Sequence, residues 1–239
     1  MEKKLKSWQG WLLFGGTMVV VFVLGMIAAS VNERHAEVTS VMNNKKTEIT
    51  GIEARNDKFE SNYPREYQTW EATADTSFKS LYNGNQAVDV LEARPEMVIL
   101  WAGYAFSKDY STPRGHMHAI EDMRNTLRVG APMTENEGPQ PATCWTCKSP
   151  DVPRMMQAMG VDNFYKGKWA SLGKEIVNPI GCADCHEPEN MNLHISRPAL
   201  IEAFQRQGKD ITKATQQEMR SLVCAQCHVE YISRAMVNT

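Results

Sequence analysis

Neither sign of charge dominates this chain, in which 26 Lys and Arg oppose 28 Asp and Glu for a formal net charge of −2. Basic runs and glycine-rich phosphate loops are also missing, so we expect no nucleic-acid partner. The sequence has no low-complexity tract and no internal repeat beyond one short cysteine motif. Because sustained alternation of apolar and polar residues is absent as well, the pattern argues against strands and predicts a mainly α protein.

No cysteine stands outside a pair. The 6 cysteines form the motifs Cys144-Trp-Thr-Cys147-Lys148, Cys182-Ala-Asp-Cys185-His186 and Cys224-Ala-Gln-Cys227-His228. In Cys-x-x-Cys-His the two thiols attach a porphyrin and the histidine binds its iron. A four-thiolate zinc site needs two such pairs close together, whereas these lie far apart in the chain. Disulfides would leave the trailing histidine or lysine unexplained, so we predict three c-type haems.

Only the first motif has lysine in place of histidine. A lysine binds iron as a neutral amine, so Lys148 must lose its proton, and lysine is the cation most prone to do so when buried. A haem that only relays electrons has no need of such a ligand. The substitution therefore predicts a catalytic haem on Cys144 and Cys147, with His186 and His228 as proximal iron ligands of the other two haems.

The first 30 residues have the composition of an export segment. Lysines at positions 3, 4 and 6 precede a 20-residue apolar run over residues 10–29. This run fits either a cleaved signal peptide or a retained membrane anchor. Both place the rest of the chain in the periplasm, where c-type haems are attached. We predict a polar tether over residues 31–62 and one three-haem domain over residues 63–239.

The apolar pattern predicts several elements. Residues 97–106 could be a buried helix or a buried strand, and residues 116–129 are expected to form one helix that ends at Gly130. Residues 132–181 are expected to be mostly irregular connections with one short helix. Further helices are predicted over residues 198–204, with Gly208 as the stop, and over residues 211–223, leading into the third motif.

Two of the 6 histidines are used as proximal ligands, which leaves four candidates for the opposite faces of the irons. His35 lies beside the apolar run and is expected to be in solvent. His116 and His118 begin a predicted helix, so either could face a haem, and His194 is a further candidate.

Several segments together resemble the ammonia-forming cytochrome c nitrite reductases, a pentahaem family. The similarity runs from about residue 53 to residue 231, and the order CxxCK, CxxCH, CxxCHVEY is specific to that family. It implies a mainly α multihaem c-type cytochrome, with irregular loops packed around the haems, that reduces nitrite to ammonium with six electrons at the open face of the lysine-ligated haem. The similar segments are Ile99-Leu-Trp-Ala-Gly-Tyr104, Arg114-Gly-His116, Arg124-Asn-Thr-Leu-Arg128, Cys144-Trp-Thr-Cys-Lys-Ser-Pro-Asp151, Gly181-Cys-Ala-Asp-Cys-His186 and Cys224-Ala-Gln-Cys-His-Val-Glu-Tyr231.

The resemblance also implies roles for single residues. Lys148 would be the proximal ligand of the active haem, and His116 the distal ligand of the third haem. Arg128 and Tyr231 would lie on the substrate side, where a guanidinium can hold an anion and a phenol can donate a hydrogen bond. Glu230 and the carbonyl of Tyr231 would bind calcium.

By the same resemblance the electron donor is a membrane-bound multihaem quinol dehydrogenase, and a homodimer is possible. Family members carry two further CxxCH motifs, a catalytic distal histidine and the remaining calcium ligands, which this sequence does not contain. We therefore expect a truncated or frame-disrupted reductase, or one half of a split gene. The alternatives are a non-catalytic triheme electron carrier and an inactive reductase fragment.

Overall fold

The computed structural model describes residues 6–43, 45–81, 83–129 and 140–229, without the side chains of residues 41–43, 80 and 83. Two compact units divide the chain, Met1–Lys46 and Thr47–Thr239. The first unit contains helix α1, Ser7–Asn43, whose 37 residues rise about 55 Å. α1 is long and apolar enough to cross a membrane, although a signal sequence has the same properties.

The second unit consists mainly of short helices. Its hairpin pairs β1, Lys79–Ser80, with β2, Asn83–Gly84, in antiparallel register. Single 3₁₀ turns are Ala72–Ala74, Ala105–Ser107, His116–His118, Leu127–Val129, Ala142–Trp145, Gly173–Glu175 and Ile211–Lys213. The helices are α2 Asp57–Glu60, α3 Pro64–Glu71, α4 Val90–Ala93, α5 Met97–Leu100, α6 Ala119–Asn125, α7 Asp151–Met159, α8 Val161–Lys166, α9 Trp169–Leu172, α10 Cys182–Cys185, α11 Pro198–Arg206 and α12 Gln216–Ala225.

The structure differs from the predicted polar tether over residues 31–62. Residues 31–43 continue α1. In the second unit, the N–H of Thr47 donates to Asn62 Oδ1 at 3.0 Å, and Asn62 Nδ2 donates back to the Thr47 carbonyl at 2.7 Å. Ile49 and Phe59 are buried. Residues 47–62 therefore pack within the unit that carries the three cysteine motifs.

The main hydrophobic core lies in the segment where we expected irregular connections, so that prediction was wrong. Trp145, Val152, Phe164, Trp169 and Ile176 are all 0% exposed and belong to one cluster. The rings of Trp145 and Trp169 stack at 5.6 Å with an interplanar angle of 5°. Helices α7, α8 and α9 are each shorter than the window over which a helical pattern is read, so the sequence did not reveal them.

The apolar run over residues 97–106 is helical in part but not buried. It contains α5 and the turn Ala105–Ser107, yet Ile99 is 81% exposed and Leu100 is 72% exposed. The prediction that this apolar run is buried was therefore wrong. An apolar run indicates a surface that favours leaving water, but it does not specify which group covers that surface.

The helix predicted over residues 116–129 is divided. After the turn His116–His118 and α6, Thr126 takes an extended conformation with φ −74° and ψ 111°. Its hydroxyl donates to the carbonyl of Asp122 at 2.5 Å, and the next N–H, that of Leu127, donates to Asp109 Oδ2 at 2.8 Å. A side-chain acceptor therefore takes the place of helical hydrogen bonding. Gly130, the predicted stop, lies outside the described residues.

The C-terminal helix α11 was predicted correctly, whereas the helix predicted over residues 211–223 consists of the turn Ile211–Lys213 followed, from Gln216, by α12. α11 has Pro198 at its first position, and Gly208 follows it with a φ of +71° that suits glycine. α12 begins at a capping box in which Thr215 and Glu218 bond to each other's backbone N–H groups. Its last turn contains Cys224, so α12 leads into the third motif as predicted.

Candidate haem sites

Each cysteine motif is a short turn closed by the N–H of the residue after the second cysteine. In the two histidine motifs this N–H donates to the carbonyl of the first cysteine, at 2.8 Å for His186 and 2.9 Å for His228. The N–H of Lys148 donates instead to the carbonyl of Trp145, at 2.9 Å. The lysine turn is thus one residue tighter, and the backbone distinguishes this site from the other two.

The turns bury the residue before the second cysteine and leave their thiols accessible. Thr146, Asp184 and Gln226 occupy this position and are 2%, 1% and 0% exposed. The six cysteines are exposed or half-buried. Each turn is therefore anchored in protein on one side and offers two thiols on the other. This arrangement fits the covalent attachment of a porphyrin.

Thiols from different motifs lie close together. A hydrogen bond between the side chains of Cys147 and Cys227 lowers the pKa of the first and raises that of the second. Burial, with smaller contributions from the nearby Asp184 and Cys224, raises the pKa of Cys185 to about 12. The three motifs thus form one cluster. Over the described ranges, however, no three His, Cys, Asp or Glu side chains are grouped so that they could share one metal ion.

The ring orientation of His186 is fixed by its neighbours. Its Nδ1 lies 2.7 Å from the carbonyl of Met191, which can only accept, so Nδ1 carries the proton and Nε2 is free for iron. Met191 has a φ of 59°, a left-handed conformation that is unusual for a side chain of this kind. A hydrogen bond from Glu187 N to the Asn192 carbonyl at 2.9 Å closes the loop. The loop therefore orients a proximal ligand.

Arg128 and Lys148 both lie near Cys144. Burial raises the pKa of the Cys144 thiol, while the positive charges of Lys148 and then Arg128 act to lower it. Arg128 belongs to the turn Leu127–Val129, and its guanidinium carbon is 5.0 Å from the ring centroid of Phe106. The charges of the lysine and the arginine therefore both act on a thiol of the first motif.

His116 and His118 have different surroundings. His116 is exposed, yet desolvation by nearby atoms lowers the pKa of its imidazole. Asp184 acts to raise this pKa, while His228 and Lys148 lower it further. The neutral imidazole is the form that binds iron. His118 is engaged at both ring nitrogens, with Nε2 3.0 Å from the Ala74 carbonyl and Nδ1 3.3 Å from Glu121. These contacts favour His116 as a distal ligand.

The other candidates are less informative. His194 lines a cavity of about 250 Å³ beside Ala183, and its Nδ1 is buried without a hydrogen-bond partner. Its backbone N–H donates to the carbonyl of Cys185 at 2.9 Å, so His194 lies beside the second motif. His35 is exposed on α1. Tyr231 and Glu230, the predicted substrate-side and calcium residues, lie outside the described part of the chain.

A buried carboxylate anchors the residues that follow Lys148. Asp151 Oδ2 accepts from the N–H groups of Val177 and Asn178, each at 2.9 Å. Ser149 Oγ donates to the Asn178 carbonyl at 2.6 Å. Burial of Asp151 acts to raise its pKa, but these bonds and that of Arg154 outweigh it, so the pKa of Asp151 is lowered. The lysine turn is thereby tied to the segment before the second motif.

Sequence reasoning missed a buried arginine at the centre of the cluster. Arg197 is 0% exposed. Its Nε donates to the Thr146 carbonyl at 2.5 Å, and its Nη2 donates to the Ser149 carbonyl at 3.0 Å. Nη2 also pairs with the carboxylate of Asp184, and Nη1 donates to Ser196 Oγ at 2.6 Å. One guanidinium therefore bonds to the first and second motifs.

Gln226 joins the third motif to the same centre. Its Oε1 accepts from Ser196 N at 2.9 Å and from Arg197 N at 3.2 Å, while its Nε2 donates to the Asp184 carbonyl at 2.8 Å. The sequence does carry one signal of this network, which is the polar residue before the second cysteine of every motif. Nothing in the sequence showed that these residues are buried or that they meet at Arg197.

Comparison with known proteins agrees with this geometry. The family model for cytochrome c552 matches residues 55–237, which include all three motifs. The chain belongs to the cytochrome c552 family. This is a nitrite reductase family, as the sequence resemblance indicated. Membership also confirms the predicted mainly α multihaem fold and supports haem c as the cofactor.

Members of the cytochrome c552 family from several bacteria are similar to this chain. Cytochrome c-552 of Bacteroides fragilis is 76% identical over 97% of this chain and 47% of its own length. For Porphyromonas gingivalis the values are 72%, 96% and 46%. The cytochrome c nitrite reductase catalytic subunit of Desulfovibrio desulfuricans, described with two calcium sites, superposes with a TM-score of 0.71 at 31% identity, over 77% of this chain and 42% of that one. The chain thus spans about half the length of these relatives.

Proposed function

We propose that this chain supplies the catalytic haem of a nitrite reductase that converts nitrite to ammonium with six electrons. The observation that carries the proposal is the lysine-ended motif, with Arg128 near Cys144, in a cytochrome c552 family chain. A haem on Cys144 and Cys147 would supply an iron whose face opposite Lys148 can take nitrite.

The residues around that iron have complementary tasks. Lys148 provides the proximal nitrogen from the tight turn, which Asp151 and Arg197 hold in place. Arg128 binds the anionic substrate through charged hydrogen bonds. Tyr231 supplies a phenol that can hydrogen-bond to nitrite or help deliver the protons with which its oxygens leave as water.

We infer further cofactors and partners on the same basis. Haems on Cys182 and Cys185 and on Cys224 and Cys227 carry electrons to the first haem. Calcium binds at Glu230 and the carbonyl of Tyr231. The donor is a membrane-bound multihaem quinol dehydrogenase, and a homodimer forms. The chain works in the periplasm, with residues 10–29 as a cleaved signal or an inner-membrane anchor. Iron ligands besides Lys148 are His186, His228 and, on the distal side of the third haem, His116.

Nitrite turnover tests the proposal. The purified full chain, with its haem content measured, is given nitrite and reduced viologen, and ammonium is quantified. We expect ammonium from the unaltered chain. Lys148→His should keep haem attachment and reduce the rate about 10–100-fold, because only the axial donor changes. Arg128→Gln should reduce kcat/KM about 100-fold, because one fixed charge is lost.

Controls separate these effects from general damage. Lys166→His alters an exposed lysine on α8 and should leave the rate unchanged. A fully haem-loaded chain that forms no ammonium, yet accepts and passes on electrons, would support a triheme carrier instead. Full loading without turnover or electron transfer would indicate an inactive reductase fragment. Equal rates of ammonium formation for Lys148→His and the unaltered chain would show that the lysine has no special role in the reaction.

A further inference from the structure

The guanidinium of Arg197 contacts the lysine motif and the second motif. The backbone N–H of the same residue donates to Gln226 Oε1 of the third motif at 3.2 Å. We propose that Arg197 is a positioning residue that holds the three haem turns in one arrangement, with Asp184 balancing its charge. This proposal rests on haem attachment at the motifs but not on nitrite as the substrate. None of its tests requires nitrite.

Only arginine suits this place among the cationic side chains. Its planar group carries five donors in fixed directions, whereas lysine has three donors on one rotating nitrogen. The bonds of Arg197 go to four acceptors, which are the carbonyls of Thr146 and Ser149, the hydroxyl of Ser196 and the carboxylate of Asp184. A lysine at this position cannot reach all four.

The contacts fall where they can control the iron ligands. Thr146 and Ser149 directly flank Cys147 and Lys148 in the chain, so two bonds from Arg197 bracket the second thioether and the axial lysine. Asp184 likewise precedes the second cysteine of its motif, and its other oxygen accepts from Gly181 N at 2.8 Å. A movement of the guanidinium therefore displaces proximal ligands on more than one haem.

The opposite charges of Arg197 and Asp184 also affect the reduction potentials of the haems. Arg197 and Asp184 are buried side chains of opposite charge in direct contact, so together they place no net charge beside the haems. If Asp184 became neutral, the cation would remain, because arginine does not lose its proton in proteins. A lone cation close to the irons favours the ferrous over the ferric state and raises the reduction potential.

The first test is Arg197→Lys in the full chain. Haem per chain is measured by the pyridine haemochrome assay, the haem–haem geometry by circular dichroism in the Soret band, and the potentials by spectroelectrochemical titration. We expect an altered Soret couplet and at least one shifted potential, although the positive charge is kept. The control Arg206→Lys alters the last residue of α11, the helix that begins directly after Arg197. Arg206 forms an exposed pair with Glu202 at 2.5 Å, so this variant should match the unaltered chain. If Arg197→Lys also matches it in both measurements, the positioning role is refuted.

The second test remains informative if Arg197→Lys yields no folded holoprotein. Asp184→Asn keeps the size of the side chain and one oxygen acceptor, but it removes the negative charge and turns an NH₂ group towards the donor of either Arg197 or Gly181. We expect unchanged haem content and a potential shifted upwards relative to the exposed control Glu202→Gln. Reduction potentials that are unchanged or lowered would overturn the proposal that Asp184 balances the charge of Arg197. A purely structural carboxylate would affect stability without moving the potentials.

Discussion

Replacing Asp151 by asparagine keeps the shape of this buried side chain but removes its charge. The carboxylate accepts from the N–H groups of Val177 and Asn178, and the side-chain amide of Asn178 lies 3.1 Å from both of its oxygens. Asparagine can keep the two backbone bonds as neutral ones. Its NH₂ group, however, would face the donors of Asn178 and Arg154.

The expected loss follows from these contacts. A hydrogen bond to a charged group contributes about 1.5–3 kcal/mol, and a neutral one about 1 kcal/mol. Weakening two such bonds and losing the amide bond sums to about 2.5–7 kcal/mol, and we expect the lower end, about 3 kcal/mol, because neighbouring side chains can rearrange. The pair with Arg154 adds little, because the arginine is 45% exposed. For a domain of this size the melting temperature should fall by about 5–10 °C.

The stability that the Asp151 carboxylate contributes should depend on pH in a definite direction. The pKa of Asp151 is lowered in the folded protein, so its stabilisation is complete above the unfolded pKa of about 3.9 and is lost as the pH falls through the folded pKa. The difference between the unaltered chain and Asp151→Asn should be constant from pH 7 to about pH 5 and shrink below about pH 4.

Thermal unfolding of the holoprotein, followed by far-ultraviolet circular dichroism across this pH range, measures the effect. Asp162→Asn is the matched control, since Asp162 is exposed in the first turn of α8. We expect it to change stability by less than about 1 kcal/mol. Equal melting temperatures for the two variants at pH 7, or a difference that grows in acid, would refute the assigned role of the carboxylate.

Three further substitutions probe the packing and the His186 loop. Trp169→Ala should destabilise the chain by about 3–5 kcal/mol, because it removes the fully buried partner of Trp145, and denaturant titration that showed under 1 kcal/mol would contradict that packing. Met191→Gly should be neutral or stabilising by up to about 1 kcal/mol, whereas Met191→Val should destabilise by a similar amount, since the backbone there is left-handed; the reverse order in melting experiments would rule out the assigned strain.

Local signals predicted α11 because it has a defined start and stop, Pro198 and Gly208, whereas the prediction began α12 at residue 211, before its capping box at Thr215. The core around Trp145 and Trp169 was not predictable in the same way, since its helices are shorter than the window of about 11–18 residues over which helical periodicity is read. The cysteine motifs predicted the attachment turns directly. Arg197 could not be predicted, because its function depends on long-range contacts with Thr146 and Asp184 that the sequence does not display.

Attachment of a haem at the lysine motif is the central claim, and mass spectrometry of the chain isolated from the cells that make it tests that claim most directly. The intact mass should exceed the polypeptide mass by three haems, and a proteolytic peptide containing Cys144, Cys147 and Lys148 should carry one of them. Free thiols or a disulfide on that peptide, with haem confined to the peptides of His186 and His228, would contradict the account.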